Sequence, residues 1–213
     1  YTEDTIYFGV VCYTVDPGTI IVADSRRDSE LTETDSFQII LDTFRDRRSG
    51  YMFVTNPLGA KLEQQVAEEG EGGFRGNNSA NVNVNWDGVW HVAASQDANG
   101  WTAEIAIPMV TLRFPESEVQ SWGLNLMRNI GRKNEQAFWA PIPKAYTLTR
   151  VSMAGSLNGL RTLNRGSDLR VTPFVTGGAS RITDAGQIDN SFQRDLGVDL
   201  KYGLTAGLHL DVT

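Results

Sequence analysis

Residues 81–108 read NVNVNWDGVWHVAASQDANGWTAEIAIP, and this stretch carries the clearest structural signal in the chain. Two runs with a period of two residues flank a turn segment, DANG, at residues 97–100. The first run covers residues 89–94. The second places four apolar residues on one face: Trp101, Ala103, Ile105 and Ile107. Alternation on both sides of a turn rich in Asn, Asp and Gly is typical of an antiparallel β-hairpin.

The composition of the 213-residue chain favours an all-β protein. The chain holds 21 glycines and is 40% hydrophobic and 21% charged, which indicates many turns between short strands. The net charge of −7 argues against nucleic acid as a partner, because binding to a duplex needs a basic surface. Cys12 is the single cysteine, so an intrachain disulfide and a cysteine metal cluster are both excluded.

The first half of the chain predicts several strands. Residues 5–15 are apolar at nearly every position, which predicts a strand buried on both faces. Residues 36–44 and 51–56 are predicted as two strands joined by a charged turn. Residues 60–69 fit either a helix or a strand, and their position between strands favours a strand. The glycine-rich residues 70–80 are predicted as a loop.

Shorter elements follow the hairpin. Residues 108–112 predict one helical turn that begins with proline, and residues 122–130 predict another strand. Residues 138–141 contain proline and are predicted to lie at a sheet edge, and residues 144–166 are predicted to be rich in loops.

The pattern changes after Gly166. Residues 169–176, 196–205 and 208–212 alternate between apolar residues on one face and polar residues or glycine on the other. Strands of this kind are what a membrane β-barrel requires, and a second soluble sheet is the alternative. The sequence holds no apolar run long enough for a transmembrane helix. A strand begins within a few residues of Tyr1 and the last residues still alternate, so we expect a piece of a longer protein.

Five motifs in the same order resemble one bacterial family. They lie at residues 41–60, 85–93, 100–114, 122–141 and 195–205. Members of this family join an N-terminal domain similar to family 9 carbohydrate-binding modules to a C-terminal outer-membrane β-barrel of unassigned function. The resemblance implies an antiparallel, immunoglobulin- or jelly-roll-like β-sandwich over residues 1–160. It also implies a linker and the first barrel strands over residues 161–213, and a place in the outer membrane, at the cell surface or on its periplasmic face.

Aromatic residues are the first candidates for a binding site. The apolar face of a sugar stacks on an aromatic ring while polar neighbours bond its hydroxyls. By position, the candidate rings are Trp86, Trp90 and Trp139, whereas Trp101 and Trp122 are predicted to lie in the core. The candidate polar partners are Asn85, Asp87, Arg128, Asn129, Arg132, Asn134 and Glu135. The two arginines also fit a solvated basic turn that pairs with nearby glutamates.

A metal or a cofactor is a further expectation. Asp35, Asp42 and Asp46 supply carboxylates of the kind that hold structural calcium, although three arginines lie among them. Haem is an alternative that would require His91 together with Met109 or Met127 as axial ligands.

The predicted function is therefore non-catalytic recognition of a saccharide by an outer-membrane protein. The alternative is a structural or assembly subunit that contacts other proteins of the cell envelope. A glycoside hydrolase is a third hypothesis. It depends on Glu104, a carboxylate on a regular strand. A second catalytic carboxylate cannot be identified from the sequence.

Overall fold

The computed structural model describes residues 1–31, 34–71, 81–164, 166, 169–184, 187–205 and 208–212. The loop predicted at residues 70–80 lies mostly outside these ranges. The described part of the chain is all-β, as predicted, and its helices are single 3-10 turns at Pro17–Thr19, Glu68–Gly70, Met109–Thr111, Gly131–Lys133 and Val151–Met153. None of its helices is long and apolar enough to cross a membrane.

The strands are, in chain order, β1 (Thr5–Tyr13), β2 (Ser36–Asp42), β3 (Gly50–Thr55), β4 (Lys61–Val66), β5 (Val82–Asn83), β6 (His91–Asp97), β7 (Gly100–Pro108), β8 (Val119–Ile130), β9 (Glu135–Phe138), β10 (Gly155–Arg161), β11 (Leu169–Asp184), β12 (Gln187–Thr205) and β13 (Leu208–Val212). They form three antiparallel sheets.

Two of the sheets belong to one compact unit, Tyr1–Arg165. The smaller sheet has the order β1-β7-β6. The larger sheet has the order β10-β8-β2-β3-β4-β5, and β9 pairs with β8 beyond the end of β10. The predicted hairpin is confirmed: β6 and β7 pair from His91 opposite Ala106 to Asp97 opposite Gly100.

The main hydrophobic core lies between these two sheets. Trp101 on β7 and Trp122 on β8 belong to one buried cluster, which confirms both as core residues. The other members from the smaller sheet include Ile6, Cys12, Ala103, Ile105 and Ile107, and those from the larger sheet include Ile39, Leu41, Tyr51, Phe53 and Leu124. Residues from both sheets share one cluster, so the unit is a β-sandwich.

The central strands of the larger sheet, β2 and β3, are buried on their other face as well. Ile40, Met52 and Val54 point away from the first cluster and form a second one with Leu148 and Val151 from the segment before β10. Burial on both faces explains why the run FQIIL in β2 is almost continuously apolar.

The smaller sheet, in contrast, leaves its outer face open to solvent. Residues 5–15 were predicted to be buried on both faces, and that prediction is wrong for β1. Tyr7, Val11 and Tyr13 are exposed, while Ile6 and Cys12 on the other face are buried. The candidate site lies on this open face.

Other predictions differ in detail. Residues 61–66 form a strand, as favoured, and Met109–Thr111 is the predicted helical turn. Residues 155–161 form the strand β10 instead of a loop. The boundary predicted after residue 160 therefore falls inside β10, whereas the second compact unit begins at Gly166.

The second unit, Gly166–Thr213, is a three-stranded antiparallel sheet in the order β11-β12-β13. Its first two strands contain 16 and 19 residues, much longer than the segments that alternation alone indicated. Across the hairpin that they form, Val171 lies opposite Leu200 and Val175 lies opposite Leu196.

Gly100 lets the β6–β7 hairpin close against β1. Its φ of +141° is a conformation that side-chain-bearing residues rarely adopt, and a Cβ at this position would lie 2.1 Å from the carbonyl oxygen of Cys12. The backbone N–H of Thr14 also donates to the carbonyl of Asn99 at 2.9 Å. The turn and the end of β1 are thus joined by contacts that leave no room for a side chain.

Gly100→Ala should destabilise the sandwich by at least about 1–3 kcal/mol, because the new methyl group cannot fit without moving β1. Gly9→Ala is the matched control on the neighbouring strand. A Cβ at Gly9 meets no atom within 4 Å, so we expect a change within about 0.5 kcal/mol. Urea denaturation measures both values, and equal stability of the two variants would contradict the packing described for the turn.

Candidate functional site

The open face of the smaller sheet contains a groove. Residues of β1, β7 and β6 stand side by side across the sheet in successive levels. At one level Tyr7 pairs with Ala106, which pairs with His91. At the next level Gly9 pairs with Glu104, which pairs with Ala93. These residues line a shallow cavity of about 460 Å³.

The groove has a floor of small residues between larger polar groups. Gly9 has no side chain, and Ala93 and Ala106 have only a methyl group. The backbone of the sheet is therefore accessible between Tyr7 on β1 and His91 on β6. This volume lies within the range of small-molecule sites.

Glu104 gives the groove its charge. It is exposed on the central strand β7, and no lysine or arginine lines the groove among the residues that the structure describes. The carboxylate can accept hydrogen bonds from hydroxyl or amino groups, and the imidazole of His91 can donate or accept one. The ring of Tyr7 offers an apolar face and a polar hydroxyl group. The arrangement fits a small polar ligand that carries an apolar patch.

The tryptophan segment before β6 lies elsewhere, and most of it has a structural role. Trp90 is only 1% exposed and leaves no ring face for a ligand. Trp86 is half-buried and packs on Tyr51 and Phe53, with ring centroids 5.0 and 5.8 Å away. Asn85 is exposed, and its backbone N–H donates to the side chain of Asn83.

A buried carboxylate explains why Trp90 lies in the core. The indole Nε1–H donates to Oε2 of Glu63 at 2.8 Å, and Glu63 is itself only 1% exposed. The other carboxylate oxygen accepts from the guanidinium group of Arg27, which also pairs with Asp87. Asp87, one of the predicted ligand-binding residues, therefore lies in an ion-pair network.

This network joins the loop before β2 to β4. The ammonium group of Lys61 lies 5.2 Å from the centroid of the Trp90 ring, which is the geometry of a cation–π contact. Burial lowers the pKa of Lys61, and the nearby charge of Arg27 lowers it further. Sequence reasoning missed Arg27 and Glu63 as the partners, because they lie 36 residues apart.

Trp139 is the tryptophan with the most accessible ring among the predicted candidates. It is 57% exposed and lies directly after β9. A Cβ added at Gly155 would come within 2.5 Å of its ring, so the indole lies across this glycine. The amide group of Asn125 exchanges two hydrogen bonds with the backbone of Ala140, which holds the segment in place.

The predicted tryptophans do not converge on one cleft. Trp86 packs on β3, Trp139 extends from the strand that pairs with β8, and β2 lies between β3 and β8. Arg128 uses its guanidinium group to donate to the carbonyl of Tyr13 at 2.8 Å. Arg132 is exposed in the turn that follows β8.

The three predicted calcium ligands do not meet at one point, because Asp42 and Asp46 share a turn and Asp35 lies at the other end of β2. Asp35 and Asp42 lie at opposite ends of β2, where Asp35 accepts from the backbone N–H of Ile21. Asp42 accepts from the N–H groups of Asp46 and Arg47, and its burial raises its pKa. Asp46 closes the same turn by accepting from Arg48 and Ser49. No cluster of three or more His, Cys, Asp or Glu side chains suited to a metal occurs in the described ranges.

The haem alternative has no support from the placement of its ligands. Met109 and Met127 are buried in two different hydrophobic clusters. His91 is exposed on the open face of the smaller sheet. An iron atom between His91 and either methionine would have to lie inside the packed sandwich.

Comparisons with known proteins do not place the chain in a family. No family model matches the chain, and no curated protein matches it. One matching solved structure is that of a "putative carbohydrate-binding protein" from Bacteroides uniformis, which is 14% identical. The match covers 72% of this chain and 70% of that chain with a TM-score of 0.46. At this identity and TM-score the similarity does not define a function for the chain.

Proposed function

We propose that the sandwich of residues 1–165 binds a saccharide in the groove on the open face of its smaller sheet. The observation that supports this proposal most is the exposed ring of Tyr7 beside a floor of small residues, with the carboxylate of Glu104 at its centre. A sugar presents an apolar C–H face and several hydroxyl groups. The groove offers an aromatic ring for the former and hydrogen-bonding groups for the latter.

Binding without bond chemistry fits the groove better than hydrolysis does. Glycosidases in most families use two carboxyl groups on opposite sides of the scissile bond, about 5–10 Å apart. Among the described residues that line the groove, Glu104 is the one carboxylate. We therefore assign Glu104 the role of a hydrogen-bond acceptor for sugar hydroxyl groups.

Protein assembly at the cell envelope is the competing proposal. Tyrosines are common in protein interfaces, and Tyr7, Val11 and Tyr13 form an exposed row on β1. Two features favour the saccharide instead. The floor of the groove is recessed, and the groove has a polar carboxylate at its centre, whereas the core of a protein interface is depleted of charge.

Tyr7→Ala and Glu104→Gln should each weaken saccharide binding by about tenfold, which corresponds to about 1.4 kcal/mol. The first removes the stacking ring, and the second replaces a charged acceptor with a neutral amide. A glycan array identifies the ligand, and isothermal titration calorimetry measures the affinity of each variant.

Trp139→Ala is the matched control, because it removes an exposed aromatic ring from a different part of the sandwich. It should leave the affinity unchanged. Loss of binding in Trp139→Ala with normal binding in Tyr7→Ala would place the site at the predicted tryptophan instead. If no glycan on the array binds and envelope proteins co-purify with the chain, the assembly proposal replaces this one.

A separate observation supports an outer-membrane role for the second unit, Gly166–Thr213. Between Val171 and Ala179, one face of the β11–β12 hairpin is apolar except for Arg194 and is exposed to solvent, with Val175 81% and Leu196 77% exposed opposite each other. The same face carries Val171, Val198, Leu200 and Phe192. An apolar face on long antiparallel strands is what a lipid-facing barrel wall requires. We propose that this face contacts lipid in an outer-membrane β-barrel.

Val175→Asp and Leu196→Asp should each reduce flotation of the protein with phospholipid vesicles, because a charge facing the bilayer is unfavourable. Thr176→Asp is the control, since Thr176 is the next residue along β11 and its side chain points to the opposite face. Equal flotation of all three variants would overturn the proposal that this face contacts lipid.

A further inference from the structure

The open face of the smaller sheet continues well beyond the groove. Tyr7 and Tyr13 lie on the same face of β1, six residues apart, which corresponds to about 20 Å along a strand. Tyr7 is 55% exposed and Tyr13 is 71% exposed. The groove itself contains only the first of these rings, so the second ring is an additional feature of the same surface.

Two further rows of paired residues lie between Gly9 and the end of β1, on the same open face of the sheet. Val11 pairs with Thr102, which pairs with Ser95, and the hydroxyl groups of Thr102 and Ser95 lie 2.9 Å apart. At the last level Tyr13 pairs with Gly100, which pairs with Asp97. Apolar or aromatic groups thus follow β1, while hydroxyl and carboxylate groups lie beside them on β7 and β6.

These residues form a strip on the open face that is apolar along β1 and polar along β7 and β6. Along β1 the strip offers Tyr7, Val11 and Tyr13 as apolar contacts. Parallel to them it offers hydrogen-bonding groups at successive levels: His91, Glu104, Thr102, Ser95 and Asp97. A ligand that repeats the same combination of ring face and hydroxyl groups along its length matches the strip, whereas a single sugar uses one end of it.

The charge of the strip limits the ligand further. Its titratable side chains on the four levels from Tyr7 to Tyr13 are Glu104, Asp97, His91 and the two tyrosines, and none of them is a lysine or arginine. Saccharides that carry carboxylate or sulfate groups would face the like charges of Glu104 and Asp97 there. At the Tyr13 end the guanidinium group of Arg128, from β8, is half-buried and donates to the carbonyl of Tyr13.

We infer that the strip binds a linear, uncharged oligosaccharide longer than a disaccharide, lying along β1 with sugar rings on both Tyr7 and Tyr13. This inference rests on the proposed function of the groove, and it defines the class of saccharide. Tyr7 and the groove bind one end of the chain, and Tyr13 binds sugars further along it.

Ladders of linear β-1,4-linked gluco-, xylo- and manno-oligosaccharides, from the monosaccharide to the hexasaccharide, test the inference by calorimetry. For the ladder that binds, affinity should increase about tenfold from the disaccharide to the hexasaccharide, since a second aromatic contact forms. Tyr13→Ala should abolish this increase and leave the affinity for the disaccharide unchanged. Tyr7→Ala should weaken binding at every length. Tyr146→Ala, which removes an exposed tyrosine elsewhere, is the control and should behave as the unaltered protein.

Equal affinity for the disaccharide and the hexasaccharide would overturn the inference and leave the proposed function intact, because the groove alone would then bind the sugar. An unchanged length dependence in Tyr13→Ala would also overturn it. Tight binding of oligogalacturonate, an acidic chain, would contradict the uncharged class. Failure of every ladder and of the glycan array would instead reject the proposed function itself.

Discussion

The packing of β7 against the larger sheet determines where a ligand can bind. Trp101 and Ile107 at the two ends of this strand are buried against residues of β2 and β8, including Ile39 and Trp122. Side chains alternate along a strand, so this burial turns Thr102, Glu104 and Ala106 to the opposite face. The groove is thus a direct consequence of the core, and a register shift of one residue would remove both.

The two sheets of the sandwich differ in how they are covered. The central strands of the larger sheet, β2 and β3, are buried on both faces, while β9 and much of β10 at its edge are exposed. Among the described residues of the sandwich, the smaller sheet is covered on one face only. The exposed side chains of the smaller sheet are therefore free to meet a ligand, whereas Trp90 in the tryptophan-rich segment before β6 is bound to Glu63 inside the protein. The indole N–H of Trp90 has an acceptor in the core, the buried carboxylate of Glu63 that Arg27 holds.

Much of the fold could be predicted from local patterns. The hairpin, the core positions of Trp101 and Trp122 and the strand at Lys61–Val66 all follow from periodicity and turn residues. The open face of β1 could not be predicted in this way, since Tyr7 and Val11 resemble core residues in sequence, and they are exposed because no described part of the sandwich packs over them. The role of Trp90 depends on Arg27 and Glu63, which are distant in sequence, and period-two alternation carries no information about such contacts.

The most direct test of the central claim is an NMR titration of the isotope-labelled protein with its saccharide. Binding in the groove predicts that the backbone amide signals of Gly9, Ala93, Glu104 and Ala106 shift as ligand is added, because these residues line it. The indole N–H signals of Trp86 and Trp139, which lie elsewhere on the sandwich, should stay in place. Shifts centred on the indole of Trp139 or Trp86, with unchanged signals from the groove, would contradict the account.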